Sequence, residues 1–129
     1  MILDTSAIMA ILRREPERDA FTVALSGAAR PAISAATLVE LMLVSETRAG
    51  PSVRPEVDLL LARSAVEVVP VTAEHAALAA EGWRRYGKGR HPAGLNLGDC
   101  FAYALARQRD QPLLFKGGDF AQTDVKAAL

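Results

Sequence analysis

The chain has one cysteine, few aromatic residues and no excess of either charge. A single thiol among 129 residues, Cys100, excludes an internal disulfide and fits a reducing compartment. With only two histidines, His75 and His91, and no ligand-like spacing between them and Cys100, a zinc site is not expected. Aromatic residues make up 5% of the chain, so the core must come from Ala, Leu and Val, with helices packed closely on small side chains. Fifteen Lys and Arg balance fifteen Asp and Glu, so no global basic field advertises nucleic acid, and any such contact has to be local. No apolar run is long enough to span a bilayer, and no basic stretch precedes an apolar one. These absences together predict a soluble, cytoplasmic protein.

What is present is hydrophobic residues, at 50% of the chain, with a mean hydropathy of +0.14. The length suits one domain, residues 1–129, and no linker, repeat or low-complexity stretch divides it. Short apolar runs at Met1–Leu3, Pro31–Ile33, Val66–Val69 and Pro112–Phe115 read as strands. Between them lie helical stretches: Ala7–Leu12, Pro16 to Gly27, Ala35–Thr47, Pro55–Arg63, a helix capped by Thr72 running to Tyr86, and one from about Asn96 to Arg109. Thr123–Leu129 closes the chain. Strands alternating with helices predict an α/β domain: a three-layer α/β/α arrangement around a short, mostly parallel sheet.

The stretch Leu97–Ala106 is apolar nearly all round and carries one charge, Asp99. A helix of that pattern is buried on several faces, and a lone carboxylate in it must cap the helix, pair with a cation or line a cleft. Asn96 and Asp99 have capping-box spacing, which is a sufficient local explanation. Glu40 is likewise the one charge before Glu46 in its helix. Thr37 and Glu40 also have capping-box spacing, unless the helix starts at Ser34, in which case Glu40 falls in the second turn and capping explains nothing. Asp4 follows the first strand directly, and Asp119 follows the last on a Gly-Gly turn.

In an open α/β sheet, ligands bind at the carboxyl ends of the strands. Asp4, Glu40, Asp99 and Asp119 are therefore predicted to meet at one sheet edge. Carboxylates brought close raise one another's pKa values, and a hard divalent cation, Mg²⁺ or Mn²⁺, removes the conflict. An acidic cluster holding such an ion suits phosphodiester hydrolysis, because the metal activates water and shields the phosphate from the acids.

The residues that carry this pattern are Met-Ile-Leu-Asp4-Thr-Ser-Ala-Ile, the lone Glu40, the run from Gly87-Lys-Gly-Arg-His through Asp99 to Ala106, and Leu-Leu-Phe-Lys-Gly-Gly-Asp119-Phe. The whole chain resembles the PIN-domain ribonucleases and, more narrowly, the VapC toxins of bacterial toxin–antitoxin pairs. The resemblance implies Mg²⁺- or Mn²⁺-dependent endonucleolytic cleavage of RNA, often tRNA or ribosomal RNA, which stops translation. It implies that Asp4, Glu40, Asp99 and Asp119 form the acidic metal site and that Ser6 is the hydroxyl supporting it. It also implies a VapB antitoxin that wraps the toxin, and a homodimer. One departure is visible: the turn before the last acid commonly reads Gly-Asn-Asp, and here Gly118 stands in place of the Asn.

Lys88, Arg90 and His91, in the glycine-rich loop before the Asp99 helix, are expected to contact RNA phosphates, as is Lys116. Asp124 reads as the cap of a terminal helix. Trp83 reads as core or dimer interface. Apolar residues of the first two helices, Ile8, Met9, Ile11, Leu12 and Phe21, are expected to be covered by another chain. The competing readings are a PIN nuclease that processes RNA without an antitoxin, and a non-catalytic RNA- or protein-binding module. A receiver-like phosphotransfer domain is disfavoured, because no adjacent acidic pair follows the first strand.

Overall fold

The structure, a computed structural model, describes all 129 residues. Four parallel strands, β1 (Ile2–Leu3), β2 (Ala32–Ser34), β3 (Glu67–Val69) and β4 (Leu113–Leu114), form one sheet in the order β3-β2-β1-β4. Ile2 pairs with both Ala32 and Leu113, which makes β1 the inner strand next to β4. The chain adds strands outward from β1 to β3, then returns to the other side of β1. The order therefore reverses between β1 and β4, and the crevice at their carboxyl ends is where such sheets bind ligands.

Six helices cover the sheet: α1 (Thr5–Leu12), α2 (Arg18–Gly27), α3 (Ala35–Ala49), α4 (Arg54–Arg63), α5 (Ala73–Tyr86) and α6 (Leu97–Arg109). The alternation of each strand divides the core in two. Ile2, Ala32 and Leu113 face α5 and α6, packing with Leu95, Tyr103 and Leu105. Leu3, Ile33 and Leu114 face the other way, against Ile8, Phe21, Leu25, Leu41 and Val57 of α1–α4. This is the three-layer α/β/α arrangement expected from the sequence.

Local chemistry sets the helix starts that matter for the site. Asp4 is the N-cap of α1 and accepts from the Ser6 backbone N–H at 2.9 Å. Ser34 caps α3, its Oγ accepting from Ala36 N at 3.3 Å. The Thr37–Glu40 capping box therefore does not form, Thr37 is buried, and Glu40 stands in the second turn. Asn96 and Asp99 do form a reciprocal capping box at the start of α6.

Two expectations are corrected. The chain ends without a terminal helix: Phe120–Gln122 is a single 3₁₀ turn, and Ala127 pairs with Leu113 as a β-bridge. Asp124 therefore caps nothing; Arg85 holds it at 2.8 Å, Arg107 at 3.4 Å and the Tyr103 hydroxyl at 3.0 Å. Ile8, Met9 and Phe21 of the first two helices are not left for another chain, although Val23 of α2 is exposed. Ile8, Met9 and Phe21 are buried within this one, and Ile11 and Leu12 are half-buried, because α1 and α2 cover the sheet face presented by Leu3, Ile33 and Leu114. The large exposed apolar side chains are instead Val23, Val39, Leu43, Trp83 and Leu97, among others. No helix is long and apolar enough to cross a membrane.

Candidate active site

Asp4 is fixed from three directions. Its backbone N–H donates to Leu114 O of β4 at 3.0 Å, and its Oδ2 accepts from both the backbone N–H and the hydroxyl of Ser6. The Ser6 oxygen in turn accepts from Lys116 N at 2.9 Å, tying Asp4 to the segment after β4. The other carboxylate oxygen, Oδ1, is buried and has no partner. Burial pushes the Asp4 carboxyl above its ordinary range; the Ser6 bonds oppose this and the nearby Glu40 charge adds to it.

Glu40 reaches the same place from α3, where its Oε2 accepts from Thr5 Oγ1 at 2.7 Å. Helix α6 meets Glu40 at Gly98, where a Cβ would stand 2.5 Å from Glu40 Oε1 and displace the carboxylate. The next residue, Asp99, is held by its capping box, with Asn96 N donating to Oδ2 at 2.8 Å and Asp99 N donating to Asn96 Oδ1 at 2.9 Å. The cap geometry fixes the carboxylate at the cleft instead of competing with a role there. Burial pushes Asp99 up to about 6, and the charges of Asp4, Glu40 and Asp119 push the same way.

Asp4, Glu40 and Asp99, brought from three separate elements, line one cavity of about 420 Å³ together with Ser6, Thr5, Glu15, Arg48 and Lys116. Asp119 stands outside that lining, on an exposed turn. Gly117, at φ +103°, makes the turn possible, and the buried Phe120 anchors it. Gly118, in the position where Asn is common, has a negative or extended φ and open space around it. The charge of Asp119 is near enough to contribute to the shift of Asp99.

No three Asp, Glu, His or Cys side chains close around a single point here, so the acids form an open rim and not a finished coordination shell. Their chemistry nonetheless fits a hard divalent cation. The donors are all oxygen, one buried carboxylate oxygen is unpartnered, and two carboxyls are held above their usual range by burial and mutual repulsion. A cation that keeps part of its own water needs only one or two direct carboxylate ligands.

The basic residues expected to meet RNA are placed differently from the acids. Lys116 lines the cavity, but its ammonium is held by Glu15 at 2.7 Å and Glu17 at 2.8 Å, which raises its pKa and commits its charge. Arg90 stacks over Trp83, 4.0 Å from the ring centroid. His91 meets the Tyr86 ring edge-on, and its Nδ1 accepts from Ala93 N at 3.1 Å. Lys88 is exposed. None of these three lines the acidic cavity. Trp83, 42% exposed, instead lines a separate apolar cavity with Leu97, Cys100 and Phe101. That cavity offers no catalytic group, since burial pushes the Cys100 thiol up to about 11.

Residues that the sequence did not single out also shape the site. Thr5 fixes Glu40, Gly98 admits it, Glu15 and Glu17 hold Lys116, and Arg48 lines the cavity wall. Only Thr5 carried a signal, as a hydroxyl beside the first acid.

The PIN domain family model matches residues 1–126. Ribonuclease VapC30 of Mycobacterium tuberculosis is 48% identical over 125 residues, covering 97% of this chain and 95% of that protein. Ribonuclease VapC of Mycolicibacterium smegmatis is 48% identical over 127 residues, covering 98% of each. Among solved structures, VapC20 of M. tuberculosis, described as a sarcin-ricin loop cleaving toxin, superposes with a TM-score of 0.78 at 18% identity over 96% of this chain and 95% of that one. A toxin–antitoxin complex from Klebsiella pneumoniae gives 0.66 at 21% identity over 95% of this chain and 92% of that one. The parallel sheet in this order and the likeness along the whole length agree, and the chain belongs to the PIN-domain family and, within it, to the VapC ribonucleases of toxin–antitoxin pairs.

Proposed function

We propose that this ribonuclease is a Mg²⁺- or Mn²⁺-dependent endonuclease that cuts tRNA or ribosomal RNA and so stops translation in the cytoplasm, under the control of a VapB-type antitoxin. One observation carries the metal assignment: acids from β1–α1, α3 and α6 line a single cavity, and one of them, Asp4, has a buried carboxylate oxygen without a partner. Asp4, Glu40 and Asp99 would hold the ion, and Asp119 would add negative charge from the rim. When bound, the ion supplies a Lewis acid that activates water and neutralises charge on the phosphate.

The chain's own residues do the rest. Ser6 fixes the Asp4 carboxylate through Oδ2 and leaves Oδ1 without a protein partner, and the Lys116 backbone N–H holds Ser6. Thr5 keeps Glu40 extended across the cleft. The Asn96 cap sets Asp99 on a rigid helix start, which limits reorganisation during the reaction. A homodimer and an antitoxin would both need apolar surface, and Val39 and Leu43 on α3, with Trp83 and Leu97 across α5 and α6, offer it.

The test is cleavage of total tRNA and ribosomal RNA by the partner-free chain, with Mg²⁺, with Mn²⁺ and with chelator, alongside Asp99→Asn. Metal-dependent cutting that Asp99→Asn abolishes is expected. Cutting that survives the substitution overturns the site, and RNA binding without any cutting converts the reading to a binding module. Growth arrest on expression, relieved by a co-expressed VapB-type antitoxin, separates a toxin from an RNA-processing nuclease.

A further inference from the structure

We infer that Arg48 is an RNA-binding residue of the cleft, gripping a phosphate that flanks the one being cut; the inference rests on the nuclease reading above. Two cations line the acidic cavity, Lys116 and Arg48. Lys116 is neutralised by Glu15 and Glu17, at 2.7 and 2.8 Å. Arg48 forms no ion pair within 4 Å and its guanidinium makes no hydrogen bond, while Arg54, Arg85 and Arg109 each hold a carboxylate. It is the uncompensated positive charge in the lining of a cavity whose other charged walls are Asp4, Glu15, Glu40, Asp99 and the paired Lys116.

Its place on α3 says which phosphate it reaches. Glu40, Val44 and Arg48 are spaced four residues apart, so they share one helix face, and all three line the cavity. Eight residues of helix separate the Glu40 and Arg48 backbones by roughly 12 Å. A strand with its reacting phosphate beside Glu40 therefore presents a neighbouring phosphate to Arg48. The guanidinium fork suits that group geometrically, and it is free to form the pair because no protein carboxylate competes. An acidic cavity repels RNA, and an unpaired arginine in its wall, two turns along α3 from Glu40, offsets that repulsion. A local explanation also exists: Arg48 sits in the last turn of α3, where a cation suits the helix dipole. The two roles differ in what they move.

The experiment measures binding of a labelled single-stranded oligoribonucleotide to the full-length Asp99→Asn protein, with Mg²⁺ present, across a salt series. Arg48→Gln and Arg48→Lys are each added to that background. Arg48→Gln is expected to weaken binding about three- to tenfold and to reduce the slope of log affinity against log salt by about 0.7, the loss of one single-strand phosphate contact. Arg48→Lys is expected to restore the slope. With Asp99 intact, Arg48→Gln is expected to raise KM by the same factor and leave kcat unchanged, since a flanking contact is made equally before and during the reaction. An unchanged salt slope, with only a lowered melting midpoint, overturns the inference in favour of the helix-dipole role and leaves the nuclease reading standing. A fall in kcat at constant KM overturns the flanking assignment. A parent protein that does not bind RNA at all overturns both readings.

Discussion

The Glu40 carboxylate occupies the space that a side chain at position 98 would fill, with Oε1 2.5 Å from where a Cβ on Gly98 would stand. The acid of α3 and the acid-bearing turn of α6 are thus mutually fitted, although 58 residues of sequence separate them. Gly98→Ala is expected to push Glu40 aside and break its bond to Thr5. The displaced atoms are the far end of a flexible side chain, and alanine favours a helix over glycine by about 1 kcal/mol, so stability should hold or rise slightly. Activity should fall roughly 10- to 100-fold, the scale expected when a positioned group moves by about 1 Å. Parallel cleavage and thermal-melting measurements check this. An alanine variant as active as the parent would show that Glu40 need not stand where it does.

Ser6 joins Asp4 to the chain after β4. Ser6→Ala removes the hydroxyl that donates to Asp4 Oδ2 and accepts from Lys116 N, at an expected cost of about 1–3 kcal/mol. The Ser6 bonds hold the Asp4 carboxyl down against burial, so without the hydroxyl its pKa should rise further. The acidic limb of the pH–rate profile should then move to higher pH, with activity failing sooner as pH is lowered. A loss of stability with an unmoved acidic limb would assign Ser6 to the fold alone.

What the sequence showed clearly was local. The cap at Asn96, the lone charges of Asp99 and Glu40 in apolar helices, and the acid following the first strand all depend on neighbours a few residues away, and the structure places three of those acids on one cavity. The contacts that finish the site are not local. Lys116 meets Glu15 and Glu17 across 101 and 99 positions, and Ser6 meets Lys116 across 110. No periodicity encodes such pairings; they follow from β1 and β4 lying side by side. The glycine-rich loop was read by its charge, yet Arg90 is drawn onto the face of Trp83 and His91 onto the edge of Tyr86, both on the preceding helix. Asp124 reads as the cap of a terminal helix, but Leu113 takes Ala127 as a strand partner and two arginines with Tyr103 claim Asp124.

Tyr103 and Gly82 set the spacing of the layer that carries Asp99. Tyr103 is buried, and a Cβ on Gly82 would lie 2.6 Å from its Cδ1, so α5 and α6 lie closer than any other residue at position 82 allows. Gly82→Ala is expected to destabilise the protein by about 1–3 kcal/mol through overpacking, less about 1 kcal/mol of helix propensity. Urea denaturation measures the net loss. Activity per folded molecule should change little, because Tyr103, one turn beyond Asp99, and Gly82 line no part of the acidic cavity; a stability change of zero would mean the ring yields without cost.

Asp99 carries an electrostatic cost that the fold tolerates. Its ordinary pKa of 3.8 is raised to about 6, with burial the largest cause and the charges of Asp4, Glu40 and Asp119 adding to it. Between those two values the folded state binds a proton that the unfolded state releases. Through this group, then, stability falls as pH rises from 3.8 to about 6, and the full cost is present above 6. Asp99→Asn removes that cost while its amide oxygen can still accept from Asn96 N. In chelator at about pH 7.5 the variant is expected to melt higher than the parent, by about 2–5 °C, and the difference should vanish near pH 4. Adding Mg²⁺ should close the gap at neutral pH, because an ion bound by the parent stabilises only the protein that holds it. Cleavage should be lost throughout. Equal melting midpoints in chelator at neutral pH would mean that the carboxylate is not strained there. A Mg²⁺ shift equally large in Asp99→Asn would remove Asp99 from the metal site.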